Sequence, residues 1–277
     1  MGLTLAAVGA AGSPGVGAQG RGDGGVLQRV GTYVQDYYGR AQNLLAEETV
    51  ILQPLRSDLS PDGFPRRLTY EVRIEWDPTS SAPANMIRQL MRVNGRQPRE
   101  RDEPQCIDPR ASSPEPLAPL LPVNQPGYRF THLGSGAIGG RRAAQLEFVQ
   151  SPPKAPVVEW MEECAHVEVP GRTRTRIWAD PETGEILRFD EHLLGWVDIP
   201  VPREQQRLSG PRVMTIERAD TTIRYAPVAF EAPEERWMLP SRVESLVVIR
   251  NSGTPRMRIV QSFENYRRFV TESRILP

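Results

Sequence analysis

Three histidines, two cysteines and 34 acidic residues are the side chains of this 277-residue chain that could move a proton, hold a metal or attack a substrate. Their spacing argues against each use in turn. His132, His166 and His192 lie in or beside runs that read as strand, and none belongs to an H-E-x-x-H frame that would set two ligands on one helical face. Glu162-Glu163-Cys164-x-His166 gathers metal donors, yet structural zinc takes four close-set Cys or His ligands, so no metal is expected. Asp190, Glu191 and His192 are consecutive, and neighbours on a strand point to opposite faces instead of one reaction centre. No G-x-S-x-G elbow is present to expose a serine. Gly134-x-Gly136-x-x-Gly139 has the form of a dinucleotide fingerprint, but that site needs a helix directly after it, and Arg141 to Phe148 reads as a return strand. No catalytic residue and no cofactor are therefore expected.

Basic and acidic residues both number 34 and the pI is near 6.9, which leaves no global field to attract nucleic acid or an anionic membrane. Residues 1–18 hold an apolar run from Leu3 to Ala11, a break at Ser13-Pro14, and small side chains at Val16-Gly17-Ala18. That pattern predicts a signal peptide cleaved before Gln19 and a periplasmic or otherwise exported product. The run lacks a basic n-region, so a leader truncated upstream and a disordered N-terminus stay open as alternatives. It is too short to cross a bilayer, and no later window is apolar enough, so no membrane span is expected. In an exported chain the pair Cys106 and Cys164 reads as one disulfide, which at that loop length would contribute about 4 kcal/mol.

The elements that must position any site come next. After a flexible leader at 19–25, one sheet-plus-helix domain is expected over 26–277. Val26, Val30, Val34, Tyr37, Ala41, Leu44 and Leu45 recur at three- and four-residue steps, predicting an amphipathic helix of roughly six turns. Its Tyr33-Tyr37 stripe could line a ligand cleft or pack on a core. A β-prone run follows from Glu47 to Leu52. Tyr70, Val72, Ile74 and Trp76 then alternate with charged residues, which marks a half-buried strand. Asn94-Gly95 signals a hairpin, with a helix over Asn85 to Val93 as the alternative. The insert 104–127 carries seven prolines and cannot be a central strand. Within it Ser113-Pro114-Glu115 reads as a helix start leading to Leu117, Leu120 and Leu121. These leucines are either an apolar lid or anchors of a surface loop.

Trp178, Asp180, Pro181 and Gly184 centre a predicted hairpin between Arg172 and Trp196, with further alternating runs over Val213 to Glu217, Thr221 to Phe230, Glu235 to Arg250 and Pro255 to Val270. The W-x-D-x-x-T-G unit at Trp178 to Gly184 resembles the hairpins of the LolA/LolB superfamily of periplasmic lipoprotein carriers, whose fold is shared by RseB-type sensor domains. The end Ser262-Phe263-x-x-Tyr266-Arg267-Arg268-Phe269 is similar to those of uncharacterised exported bacterial proteins. The resemblance implies an α+β fold: a strongly curved antiparallel β-sheet, half-barrel-like, packed on a long N-terminal helix. It also implies a lipid or acyl group, or an acylated protein, held in an apolar cavity between sheet and helix. Tyr33, Tyr37, Leu44, Leu117, Leu120 and Leu121 are the expected lining. The alternative is a sensor or interaction module that docks another envelope protein and holds no small molecule.

Overall fold

The computed structural model describes residues 23–40, 44–75, 85–99, 102, 115–150, 152–160, 165–206, 212–231, 234–250 and 256–268. One helix, α1 (Asp23–Arg40), precedes β1 (Leu44–Leu55), β2 (Arg66–Glu75) and β3 (Asn85–Val93). A 3-10 strap at Glu115–Leu120 leads to β4 (Tyr128–Ile138) and β5 (Arg141–Gln150). There follow the short β6 (Val157–Trp160) and β7 (Ala165–Glu168), the hairpin β8 (Thr173–Ala179) and β9 (Ile186–Leu193), and β10 (Val197–Pro200). The long β11 (Val213–Glu231), β12 (Glu234–Arg250) and β13 (Arg256–Arg268) end the described chain.

Among the described residues every strand pairing in the main sheet is antiparallel, in the order β3-β2-β1-β13-β12-β11-β9-β8-β5-β4, with β10 attached to β11 and β6-β7 forming a separate ribbon. The two ends of that order do not pair among the described residues, so the sheet is open. Six register shifts interrupt its ladders, each the mark of an extra residue that bends and twists a strand. Repeated across neighbouring strands, such bulges curve the sheet around α1, and the expected half-barrel on one helix is what forms.

Helix α1 buries Val26, Val30, Val34 and Tyr37, as their spacing requires, and each fully buried valine contributes roughly 1.5–3 kcal/mol. It is shorter than the sequence pattern implies. Leu44 and Leu45 belong to β1, opposite Ile74 and Arg73 of β2 and Arg268 and Arg267 of β13. Two apolar residues that extend a helical stripe equally well begin a strand, and pairing on both sides decides for the strand. The β-prone Glu47 to Leu52 run is the centre of the same strand. β2 has the expected alternation, while Trp76 lies outside the described residues.

Asn85 to Val93 is a strand, so the helical alternative there does not hold. Asn94 and Gly95, at φ 49° and 80°, make a tight turn onto Arg96 and not a long hairpin. The two runs expected at 213–217 and 221–230 are one strand. The glycine-rich fingerprint is strand, turn and strand. Cys106, Cys164 and residues 1–22 lie outside the described residues, as do Ala41, Ser113 and Pro114.

Candidate functional site

Register fixes what the concave face presents. One row crosses all ten strands of the main order: Val93, Leu68, Val50, Gln261, Val243, Ile223, Phe189, Ile177, Leu146 and His132. Eight of the ten are apolar and all eight are buried. With a side-chain period of two, this row defines the inner face of every strand it touches. Two residues along, the next inner row reads Leu52, Ile259, Ser245, Thr221, Glu191, Thr175, Phe148 and Phe130. Its middle is polar.

Helix α1 packs into one core with the apolar row and is seated by the β8-β9 hairpin. Asp180 Oδ1 accepts the N–H groups of Glu182 and Thr183 at 2.9 and 3.1 Å, closing the turn. Burial pushes the Asp180 carboxyl up, but the Arg141 guanidinium and those N–H groups outweigh it and hold the group below the usual range. Gly184 follows at φ 77°, and a Cβ there would stand 2.5 Å from the Arg29 carbonyl oxygen, so only glycine lets the helix come this close. Arg29 Nε donates to Pro181 O at 2.7 Å across the same contact. Trp178 is half-buried, packed on the border of the core with the Arg188 guanidinium 4.9 Å from its ring centroid. Asp180 and Gly184, two of the three hairpin residues singled out from sequence, thus shape the turn that meets the helix.

The strap packs on α1. A Cβ on Gly31 would meet Gln125 Nε2 at 2.8 Å and Pro122 Cγ at 3.2 Å, and Gln125 Nε2 donates to Leu120 O at 2.8 Å. Leu117 and Leu120 are buried, while Leu121 is half-buried. Tyr33 stacks on Tyr37 with ring centroids 6.2 Å apart. Burial raises the phenols of Tyr33, Tyr37, Tyr225 and Tyr266. Tyr266 donates to Pro240 O at 2.7 Å.

Tyr33, Tyr37, Leu44, Leu117, Leu120 and Leu121 therefore meet in one cluster, as a packed interior. Leu44 reaches it from β1 instead of from the helix. None of the six borders the cleft of about 730 Å³ along β1, β2, β3 and β13, whose lining mixes Glu47, Glu71, Arg92 and Arg267 with Tyr70, Met91 and Tyr266.

Sequence reasoning missed two polar groups on this face. Glu48, wholly buried, receives Arg88 Nε at 2.8 Å and a second, shorter bond from the same guanidinium. Gln261 Nε2 adds a third at 2.9 Å, and the guanidinium lies 5.0 Å from the Tyr70 ring centroid. The available signal was parity: Glu48 alternates in phase with Leu44, Ala46 and Val50. The second group is Glu191, half-buried, with Thr175 Oγ1 donating to it at 3.3 Å. Burial holds its carboxyl above the usual range, against the opposing pull of Thr173, Thr175 and His192. Asp190 and His192 turn the other way, to Arg188 and Asp220 respectively. Among the described residues no three His, Cys, Asp or Glu side chains converge as a metal site.

No family model matches the chain and no curated protein does. Among solved structures it is similar to a provisionally assigned outer membrane lipoprotein-sorting protein domain from Vibrio parahaemolyticus, at 10% identity and TM-score 0.44 over 91% of this chain and 93% of that one. A DUF1329 family protein from Desulfovibrio piger is also similar, at 10% identity and TM-score 0.43 over 91% and 95%. So is a LolA superfamily protein from Nitrosomonas europaea, at 10% identity and TM-score 0.34 over 91% and 94%. These likenesses concern the course of helix and sheet only.

Proposed function

We propose that this chain is a non-enzymatic exported binding protein that holds a lipid or acyl group against the concave face of its sheet, with the strap as the displaceable cover. The observation that carries this reading is the inner row, eight apolar side chains out of ten, packed in one core with a single helix and a short 3-10 segment. Magnitudes allow the exchange. Lifting Leu117 and Leu120 off the face costs about 1.5–3 kcal/mol each, and each acyl CH₂ buried in their place gains about 0.8 kcal/mol, so a chain of ten or so carbons suffices. Helix α1, fixed by Gly184 and its tyrosines, stays. The same reading takes residues 1–18 as an export signal, 26–277 as one domain and Cys106-Cys164 as a disulfide. No described helix is long and apolar enough to cross a membrane.

A second reading, docking of another envelope protein without a small ligand, is favoured by the packed interior and by the edge strand β3, where Ile87 and Met91 stand 47% and 46% exposed. Mass spectrometry of organic extracts from the exported protein, beside an equally purified control, separates the two. A stoichiometric lipid or acylated species supports the first. Clean extracts with no uptake of added lipid overturn it in favour of the second.

A further inference from the structure

We infer that Glu191 and the hydroxyls around it form the head-group end of this site and select an amphiphile with a primary ammonium head over one with a carboxylate. This deepens the proposed function and rests on its apolar-chain reading. Four consecutive strands, β8, β9, β11 and β12, place Thr175, Glu191, Thr221 and Ser245 side by side on the inner face, one row beyond the apolar one. Thr221 and Ser245 hydroxyls are 3.2 Å apart, and Thr175 already donates to Glu191. An aromatic wall of Phe130 and Phe148, rings 5.2 Å apart, continues that row at one end.

Among the described residues no arginine or lysine pairs with Glu191. A carboxylate in this setting has lost part of its hydration and is answered by threonine hydroxyls and by His192, whose ring is already engaged with Asp220. An ammonium group brought here on an alkyl tail restores the missing charge partner, and the hydroxyls can accept its remaining protons. A carboxylate head meets like charge, and a hydroxyl head gains one neutral bond. The apolar row beside it takes the tail, so the two rows together fit an amphiphile lying across the strands.

The test is calorimetric titration of the full chain, stripped of lipid, with dodecylammonium, 1-dodecanol and dodecanoate below their micellar concentrations. Dodecylammonium should bind at least tenfold tighter than dodecanoate. In Glu191→Gln that ratio should fall to near one. Equal affinity for the two charged heads in the wild type overturns the inference while leaving the apolar site standing, as does selectivity that survives Glu191→Gln. If none of the three binds, dodecanol included, the apolar-chain reading fails and the inference with it. The wild-type ratio is decisive by itself should the variant not fold.

Discussion

Glu48 and Glu191 stand on the same face of the same sheet and are surrounded in opposite ways. Glu48 is wholly buried and holds a bidentate guanidinium and an amide. Glu191 is half-buried and answered by threonine hydroxyls. A carboxylate offers about four lone-pair sites. At Glu48 three are filled, two of them by a guanidinium that brings the opposite charge, so the group acts as a brace between β1, β3 and β13. At Glu191 no arginine or lysine answers among the described residues, only the Thr173 and Thr175 hydroxyls and the neighbouring His192, which fits the head-group role inferred above. Burial alone therefore does not tell structural from functional acids; the charge balance of the partners does.

The sharpest way to break this contrast is Arg88→Ala, which leaves a wholly buried carboxylate without its cation. A loss of about 3–5 kcal/mol is expected in urea unfolding, and a loss under 1 kcal/mol would remove Glu48 from the category of braces. Leu120→Ala should cost about 2–5 kcal/mol. It should also tighten dodecanol binding, because a cover that opens more readily raises the competent fraction. Unchanged or weaker binding would tie the strap to the permanent core. Gly184→Ala forces a side chain onto the Arg29 carbonyl at positive φ, and more than about 1 kcal/mol should be lost.

The smallest effect is expected at Glu191. Its folded-state pKa is raised, so the native state binds the proton more tightly than the unfolded chain does. The stability this confers is fully present below the unfolded pKa and is lost as pH rises through the folded value. Glu191→Gln removes that loss, so the variant should melt above wild type at neutral pH and level with it in acid. Each kcal/mol recovered shows as about 2–4 °C in a domain of this size. A variant that melts lower at neutral pH would mean Glu191 is itself a brace.

Much of the architecture was legible in the chain. Tyr70, Val72 and Ile74 alternate because one face of β2 is core, and Asp180 to Gly184 spells its own turn. The helix face was legible and its end was not, since Leu44 and Leu45 satisfy both a helical and a strand period and only pairing across two neighbours decides. β11 reads as two runs because Arg218 to Asp220 breaks the alternation, at the place where a bulge between Ile216 and Arg218 shifts the register with β12; Pro227, within the second run, lies past the stretch paired with β9, where no strand among the described residues requires its N–H. The candidate site was legible only in its apolar part. Glu191 stands in the sequence between Asp190 and His192 as one of three adjacent polar residues, and which of them turns inward depends on registers with β8 and β11 that no local pattern states.

The position of β13 has a temporal consequence. Among the described residues it alone joins the β3-β2-β1 group to the rest of the main sheet, pairing β1 on one side and β12 on the other. Leu44 meets Arg268, so as the chain is synthesised the first three strands wait roughly two hundred residues for their neighbour, a separation that slows folding through the entropy of closing so large a loop. Until the last strand arrives, β1 and β12 are bare edges open to any other strand. A nascent or nicked chain that stops short of Arg256 would thus carry two unpaired strand edges and be exposed to mispairing.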